Sequence, residues 1–205
     1  VNTAFDDINF YKCVVDNFNN QRLSSDEKDY KTYKLSDDEL RLLGNLLCSS
    51  KNIKSIKGIE KLYNLKFISI DNNKIENLDL SSNTLLKSIT AKSNLIENVS
   101  ISSSENLTSL NLDNNYITNI DTSKYINLEK LTLSNNKISS IDLTNNEKLK
   151  TLNLEKNKLA NINLSTNNEL TILNLNNLNL TDETLSSEDI SNKHNIEELY
   201  IDGNS

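Results

Sequence analysis

The stretch LTSLNLDNNYI, residues 107–117, decides the fold of this chain. Apolar and polar residues alternate along it, and an asparagine closes it at Asn115. The frame is apolar-x-x-apolar-x-apolar-x-x-Asn-x-apolar. It recurs every 21 residues, as LKFISIDNNKI from Leu65, LKSITAKSNLI from Leu86, LEKLTLSNNKI from Leu128 and LKTLNLEKNKL from Leu149. A fixed period of this length indicates stacked copies of one structural unit.

Each copy predicts one short strand. Leu110 and Leu112 share one face, while Asn111 and Asp113 share the other, as expected for a strand with one buried side. This is the pattern of leucine-rich repeats, in which a single copy buries little apolar surface and stacking with its neighbours buries the rest. The sequence therefore predicts an α/β leucine-rich repeat solenoid with a curved parallel β-sheet on its concave face.

The residues after each asparagine predict the convex side. Apolar residues such as Ile138 and Leu143 return the chain over the strands. A repeat of 21 residues leaves no room for a full helix, so extended or 3₁₀ segments are expected. The last repeat runs for 26 positions, from Leu170 to Ile196, and its segment 178–190 predicts a short convex helix beginning near Thr181 or Asp182.

The recurring asparagine is expected to satisfy backbone groups of the turn that would otherwise be buried without partners. Stacked copies would form an asparagine ladder, consisting of Asn73, Asn94, Asn115, Asn136, Asn157 and Asn204. Replacing Asn115 by alanine is expected to cost roughly 1–3 kcal/mol. The same change at the preceding Asn114 is expected to cost no more than about 0.5 kcal/mol.

Residues 1–50 lack the regular frame and predict an N-terminal helical cap, followed by repeats over residues 51–205. A first helix is expected from Asp7 to Phe18. Ser36 opens a capping box that predicts a second helix carrying Leu40, Leu43 and Leu47.

The second helix competes with a degenerate first repeat, which Leu43, Leu46 and Cys48 also fit. That repeat would end the helix near Leu43. About seven to eight repeats are expected in total, the first of them degenerate. No polar cap follows the last repeat, which predicts that the natural protein continues beyond Ser205.

Composition excludes several functions. The net charge of −7 disfavours nucleic acid, whose binding depends on lysine and arginine. No apolar run reaches the length of a membrane span, so no membrane insertion is expected. The only histidine is His194, and three glycines are too few for a phosphate-binding loop. We therefore expect no catalytic residues, no metal and no cofactor, which means that the chain is not an enzyme.

The stretch NIKSIKGIEKLYNLKFISIDNNKI, residues 52–75, resembles the first repeat of internalin-like bacterial leucine-rich repeat proteins. The stretches FDDINFYKCVVDNF and KLSDDEL are similar to the N-terminal segment of clostridial and other Firmicutes surface proteins, and DLTNNEKLKTL matches the linker between their repeats. The resemblance implies a secreted or cell-surface location and a protein-interaction module. A spacer that presents another domain of a cell-wall protein is the main alternative. A recruitment region of an enzyme and an intracellular regulatory protein are weaker ones.

Two smaller sites leave alternatives open. Cys13 and Cys48 would form a disulfide in an exported protein, or they would pack as two buried thiols. The loop at residues 19–27 lies where relatives carry a calcium loop, but it lacks the glycine of the sharp turn and contains Arg22. A plain connector is therefore the preferred interpretation of that loop.

The outward strand positions on the concave face are the expected binding surface. The candidate ligand-binding residues are Phe67, Lys92, Asn111, Lys130, Asn153, Ile172, Asn174, Glu198 and Tyr200. The centre of this face is polar, which would equally fit a solvated sheet without a ligand, so the C-terminal repeats are favoured. Tyr116 and Tyr125 are expected on the flank. The expected partner is a protein, such as a host surface protein, or a cell-wall glycan, bound by a monomer.

Overall fold

The computed structural model describes residues 5–22, 34–102, 105–181, 184–185, 190 and 192–204, with the side chains of residues 20–22 excepted. The chain divides into two compact units, Val1–Ser102 and Ser103–Ser205. The loop in which a calcium site was considered lies mostly outside the described residues.

The first unit begins with helix α1, Ile8–Arg22. Phe10, Val14 and Phe18 follow one another at four-residue intervals and are all buried, so the apolar stripe of the sequence faces the core. Asp7 Oδ1 accepts the Asn9 and Phe10 amides and thereby caps the first turn. The predicted first helix is confirmed, and it extends to Arg22.

Helix α2, Asp37–Leu40, is a single turn that begins with the predicted Ser36–Glu39 capping box. It ends before Leu43 because the degenerate first repeat starts there with strand β1, Asn45–Leu47. Leu47 points outward and is 65 % exposed. The prediction that Leu47 belongs to the second helix is therefore wrong, because the alternation of the strand outweighs helix propensity at this position. The boundary at residue 50 stays a prediction.

The rest of the first unit alternates between two kinds of strand. It contains β2 (Phe67–Ser69), β3 (Asn77–Leu80), β4 (Ser88–Thr90) and β5 (Asn98–Ile101). β1, β2 and β4 form a parallel sheet, with Leu46, Ile68 and Ile89 in register. β3 and β5 lie in the segments that return the chain, and they pair with each other in parallel.

The described residues of the second unit contain five parallel strands: β6 (Ser109–Asn111), β7 (Lys130–Thr132), β8 (Thr151–Asn153), β9 (Ile172–Asn174) and β10 (Glu198–Tyr200). Consecutive strands pair at the 21-residue period, with Leu110, Leu131 and Leu152 in register. The five additional residues of the last repeat do not shift the sheet, since Leu173 still pairs with Leu199. The convex helix predicted at 178–190 lies largely outside the described residues.

The core of each unit consists of the inward strand residues and the apolar residues that return over them. In the second unit Leu131, Leu133, Ile138 and Leu143 are essentially inaccessible. Among the described residues before Thr181, the return segments contain one helical turn, the 3₁₀ turn Ile59–Lys61. The predicted fold class, a leucine-rich repeat β-solenoid with an N-terminal helix, is confirmed. None of the helices in the described parts of the chain is long and apolar enough to cross a membrane.

Candidate binding face of the strands

The ladder asparagines join neighbouring turns. Asn136 Nδ2 donates to Leu133 O of its own strand and to Leu112 O of the preceding one, at 3.0 Å each. Its Oδ1 accepts the Ile117 amide of the preceding repeat, at 3.0 Å. Asn157 repeats this arrangement one period later. Each amide thus satisfies three buried backbone groups, which explains the requirement for both a donor and an acceptor.

The residue before each ladder asparagine has a left-handed backbone. These residues are Asn72, Ser93, Asn114, Asn135 and Lys156, with φ between 52° and 56°, and Gly203 before Asn204, with φ of 71°. Asn177, before the Leu178 that replaces a ladder asparagine, has the same conformation. Asparagine tolerates this conformation better than most residues, which explains the recurring Asn–Asn pairs. The expected cost of Asn114→Ala is therefore revised to roughly 1 kcal/mol, because alanine is strained at a positive φ.

A second set of buried asparagines lies in the return segments. Asn146 Nδ2 donates to Thr122 O and Tyr125 O, and Asn167 Nδ2 donates to Leu143 O and Asn146 O. Sequence reasoning missed this set. The sequence signal for this set was an asparagine that recurs at a spacing of 21 residues in the linkers between strands. At one of these positions the chain has a tyrosine in place of the asparagine.

That tyrosine, Tyr125, is buried, so the expectation that it lies on an exposed flank is wrong. Burial, reinforced by the charge of Asp121, raises the pKa of Tyr125 to about 12. Tyr116 does lie at the surface, with the Lys137 ammonium over its ring.

Cys13 of α1 and Cys48, the residue after β1, form a disulfide with their Cα atoms 5.7 Å apart. Both side chains are buried. Asn17, one turn after Cys13, binds the backbone of Leu47 through both its Oδ1 and its Nδ2. The disulfide and this asparagine together attach the helical cap to the first strand.

In the first unit the outward face carries more apolar surface than the sequence indicated. Phe67 is 45 % exposed, and Leu47 on the adjacent strand is more exposed still. Leu47 was missed because it was assigned to a helix. Lys92, the other candidate in this unit, is exposed at the end of β4. Phe67 and Leu47 therefore form an apolar patch across β1 and β2.

The middle of the outward face in the second unit is polar. Asn111, Asn153 and Asn174 each use Oδ1 to accept the amide two residues later on their own strand. Lys130 is exposed, whereas Thr132 is buried between its neighbours. These side chains stabilise the strand ends and offer little apolar surface to a partner.

The last two strands bring Ile172, Glu198 and Tyr200 together. Ile172 pairs with Glu198 across β9 and β10, and Tyr200 pairs with Asn174. The Tyr200 hydroxyl donates to Glu198 Oε2 at 2.9 Å, and this bond and the glutamate charge raise the pKa of Tyr200. Tyr200 is 44 % exposed, so the ring is held in place and still faces solvent.

Few side chains in the described residues are candidates for catalysis or for metal binding. His194 lies exposed in the turn before β10. Within the described ranges, no group of three or more histidine, cysteine or acidic side chains is arranged to hold a metal ion.

Comparisons with solved structures agree with this geometry. The functional domain of InlJ from Listeria monocytogenes has 25 % identity and a TM-score of 0.61, with 99 % of this chain and 52 % of that chain covered. Internalin C2 from the same organism has 23 % identity and a TM-score of 0.65, covering 100 % and 96 %. The plant peptide hormone receptor RGFR1, solved in complex with RGF2, has 20 % identity and a TM-score of 0.60, covering 72 % and 26 %.

The chain thus spans about half the length of the InlJ structure that it matches. No protein-family model and no curated protein matches the sequence. At these identities the shared property is the architecture, which is the internalin-like leucine-rich repeat fold.

Proposed function

We propose that this chain is a non-enzymatic protein-recognition module of an exported bacterial surface protein, and that it binds its partner on the outward strand face. The observation that carries the proposal is the exposure of large side chains on a face that is otherwise small and polar. Tyr200 supplies one in the second unit, with the half-buried Ile172 on the adjacent strand, and Phe67 and Leu47 supply them in the first.

Tyrosine is one of the residues enriched at the energetic centres of protein interfaces. The Tyr200 ring is already held by Glu198, so little conformational entropy is lost when a partner packs against it. Ile172 lies diagonally across the same pair of strands. We therefore place the main contact of the second unit on β9 and β10, with Asn174 and Glu155 supplying polar contacts beside it.

Three further observations support the assignment. The Cys13–Cys48 disulfide fits an exported protein, since disulfides persist outside the cytosol. The structural neighbours include internalins, and the plant receptor among them was solved with its ligand RGF2. A negative net charge keeps the chain soluble and favours a monomer.

The test is a pull-down with the native chain from host-cell surface extract and from purified cell-wall polymer. The paired variants are Ile172→Asp with Tyr200→Ala for the second unit, and Leu47→Asp with Phe67→Ala for the first. Tyr116→Ala is the matched control, because Tyr116 is an exposed tyrosine outside the outward strand positions. A protein partner lost with either pair and retained by the control supports the proposal. A partner retained by both pairs contradicts the assigned face, and glycan binding alone contradicts the partner class.

The second candidate function is a structural spacer that presents another domain. It is favoured by the polar middle of the outward face, where asparagines bind their own strands. A spacer would bind no partner in either extract, and sedimentation would still show a folded monomer.

A further inference from the structure

The third residue before each strand of the outward sheet in the first unit belongs to a row at the edge where the strands begin. The row consists of Leu42, Asn64 and Leu85, which the pairing of β1, β2 and β4 brings side by side. Leu42 is 61 % exposed and Leu85 is 38 % exposed. In the second unit the equivalent position is polar in every repeat, as Asn106, Asn127, Lys148, Glu169 and Asn195. The two leucines are therefore exposed at a position where the repeat itself does not require an apolar residue.

Gly44, immediately before β1, leaves a gap beside this row. The equivalent position carries a side chain in every later repeat, as Lys66, Lys87, Thr108, Glu129, Lys150, Thr171 and Glu197. The backbone does not require glycine here, because the positive-φ glycines among the described residues are Gly58 and Gly203. A Cβ at Gly44 would meet only Asn64 O, at the ordinary contact distance of 3.9 Å. Glycine loses more conformational freedom on folding than any other residue, so the fold alone does not explain its use at this position.

A cavity of about 420 Å³ lies at this gap. Leu42 and Leu85 flank Asn64 in the row. Asn64 Nδ2 donates to Arg41 O at 2.7 Å, so the polar side chain between the two leucines is held by the backbone of the preceding repeat. We call this cavity the Gly44 groove, and it is lined by Arg41, Leu42, Gly44, Asn64, Lys66 and Leu85.

The lining of the Gly44 groove is basic, although the whole chain has a net charge of −7. It contains Arg41 and Lys66 and no carboxylate. Among the described residues, the Lys66 ammonium has no ion-pair partner. The Arg41 guanidinium lies 5.5 Å from the centroid of the Tyr63 ring and 3.8 Å from a carboxylate oxygen of Asp38. The Asp38 side chain is 93 % exposed, so solvent screens this long contact and the Arg41 charge stays available to a partner.

We propose that the Gly44 groove binds an acidic segment of a partner protein. One apolar side chain of that segment lies between Leu42 and Leu85, and its flanking carboxylates lie beside Arg41 and Lys66. Burial of the exposed leucines favours binding, and the complementary charges select an acidic segment over a basic one. A bare polyanion would neutralise the two cations but leave the leucines in water. This interaction is independent of the outward strand face, since the groove is formed by residues that precede the strands.

The probe is a fluorescently labelled, amidated pentapeptide with leucine at its centre and two glutamates on each side. The native chain is titrated into it, and binding is followed by fluorescence anisotropy. A version with serine in place of leucine and a version with lysines in place of the glutamates are both expected to bind at least about ten-fold more weakly. No saturable binding of the leucine–glutamate peptide up to about 1 mM protein overturns the proposal. Equal binding of the serine version also overturns it, because that would show attraction to negative charge alone.

The apolar walls are tested by Leu42→Asn with Leu85→Asn, which is expected to abolish binding of the leucine–glutamate peptide. Asparagine suits this position, since Asn64 Nδ2 and Asn127 Nδ2 each donate to a carbonyl of the preceding repeat. The variant is therefore expected to unfold at the same urea concentration as the native chain or at a higher one. Undiminished peptide binding by this variant overturns the proposal.

The space at Gly44 is tested by Gly44→Leu, which fills the groove without strain in the backbone and is expected to abolish binding. The matched control is Thr108→Leu, because it places the same side chain at the equivalent position of a later repeat. The control is expected to bind the peptide as the native chain does. Undiminished binding by Gly44→Leu, or equal losses for the two variants, overturns the proposal.

Charge is tested by Arg41→Gln with Lys66→Gln, which is expected to weaken binding about ten-fold and to reduce its salt dependence. Unchanged binding by this variant contradicts the assigned peptide chemistry. The pair Ile172→Asp with Tyr200→Ala is expected to bind the pentapeptide normally, so that failure here and failure of the recognition face remain distinguishable.

A second copy of this chain is the other candidate occupant of the groove. Analytical ultracentrifugation of the native chain and of Leu42→Asn with Leu85→Asn distinguishes the two occupants. Both proteins are expected to sediment as monomers. Self-association of the native chain that is lost in the variant would show that a second copy occupies the groove, and would overturn the proposal.

Discussion

The carboxylate of Asp7 joins the start of α1 to the first repeat at Lys54. Its Oδ1 accepts the amides of Asn9 and Phe10, at 2.8 and 3.2 Å. Its Oδ2 accepts the amides of Lys54 and Ser55, at 2.6 and 3.3 Å. One carboxylate therefore caps a helix and also accepts hydrogen bonds from two amides of the first return segment. Without it, these amides would be exposed donors at the end of the stack.

Asp7→Ala is expected to destabilise the protein by about 2–3 kcal/mol, because it removes a helix cap and leaves four amides without their acceptor. Urea unfolding followed by circular dichroism measures the change. Asp6→Ala is the matched control. Asp6 forms an exposed ion pair with Lys57, so its loss should cost no more than about 0.5 kcal/mol. Similar losses of unfolding free energy for the two variants would show that the Asp7 hydrogen bonds do not stabilise the protein in solution.

The contribution of Asp7 depends on pH. Burial tends to raise the pKa of its carboxyl, but the four amide bonds outweigh burial and lower it below the ordinary value of 3.8. Its stabilising effect is therefore present above 3.8 and is lost as the pH falls through the lower pKa of the folded state. The difference in unfolding free energy between the native chain and Asp7→Ala should shrink on acidification. A difference that stays constant from about pH 6 to pH 2 would contradict this.

Replacing both cysteines, Cys13→Ala with Cys48→Ala, is expected to cost roughly 3–4 kcal/mol, because the bridge closes a loop of 35 residues in the unfolded chain. Thermal or urea unfolding with and without reductant measures the effect. The reductant should lower the stability of the native chain to nearly that of the double variant and leave the variant unchanged. Equal stability of the oxidised and reduced native chain would contradict a stabilising disulfide.

Asn157→Ala is expected to cost roughly 1–3 kcal/mol, because Leu133 O, Leu154 O and the Ile138 amide lose their partners. The adjacent change Lys156→Gly is expected to leave stability within about 0.5 kcal/mol of the native chain, or to raise it, since φ at Lys156 is 54°. Chemical denaturation of both variants makes the comparison. A larger loss for Lys156→Gly than for Asn157→Ala would contradict the observed register.

Gly58→Ala is expected to destabilise the protein by about 2–3 kcal/mol, because a methyl group would clash with Phe5 and because φ is 104°. A double-mutant cycle with Phe5→Ala separates the two causes. The cost of Gly58→Ala should fall in the Phe5→Ala background, since only the backbone strain remains. Fully additive effects would show that Phe5 does not pack on Gly58 in solution.

The strands could be predicted from the sequence because the repeat is regular. Leu110, Leu131 and Leu152 lie in the predicted register, since side-chain alternation leaves one frame that buries every leucine. The Ser36 capping box was equally readable, because it depends on residues three positions apart. Leu47 was assigned wrongly because the helix and strand patterns overlap there, and local propensity does not choose between them.

From the sequence, the candidate binding residues could be identified only as strand positions that point outward, without their degree of exposure. Their exposure depends on the neighbouring strands, so the sequence did not distinguish buried Thr132 from exposed Lys130. Tyr125 was expected on the flank, but it is buried where other repeats have a buried asparagine. Its burial follows from stacking, which a single repeat does not reveal.

By itself, the sequence determined the repeat, its period and the ladder asparagines, because each rests on spacings of a few residues that recur along the chain. Only the tertiary structure decided the Asp7 contacts to Lys54 and Ser55 and the pairing of Cys13 with Cys48. These join residues more than 20 positions apart through the irregular first repeat. Where the period is broken, side-chain packing rather than local pattern determines which groups meet.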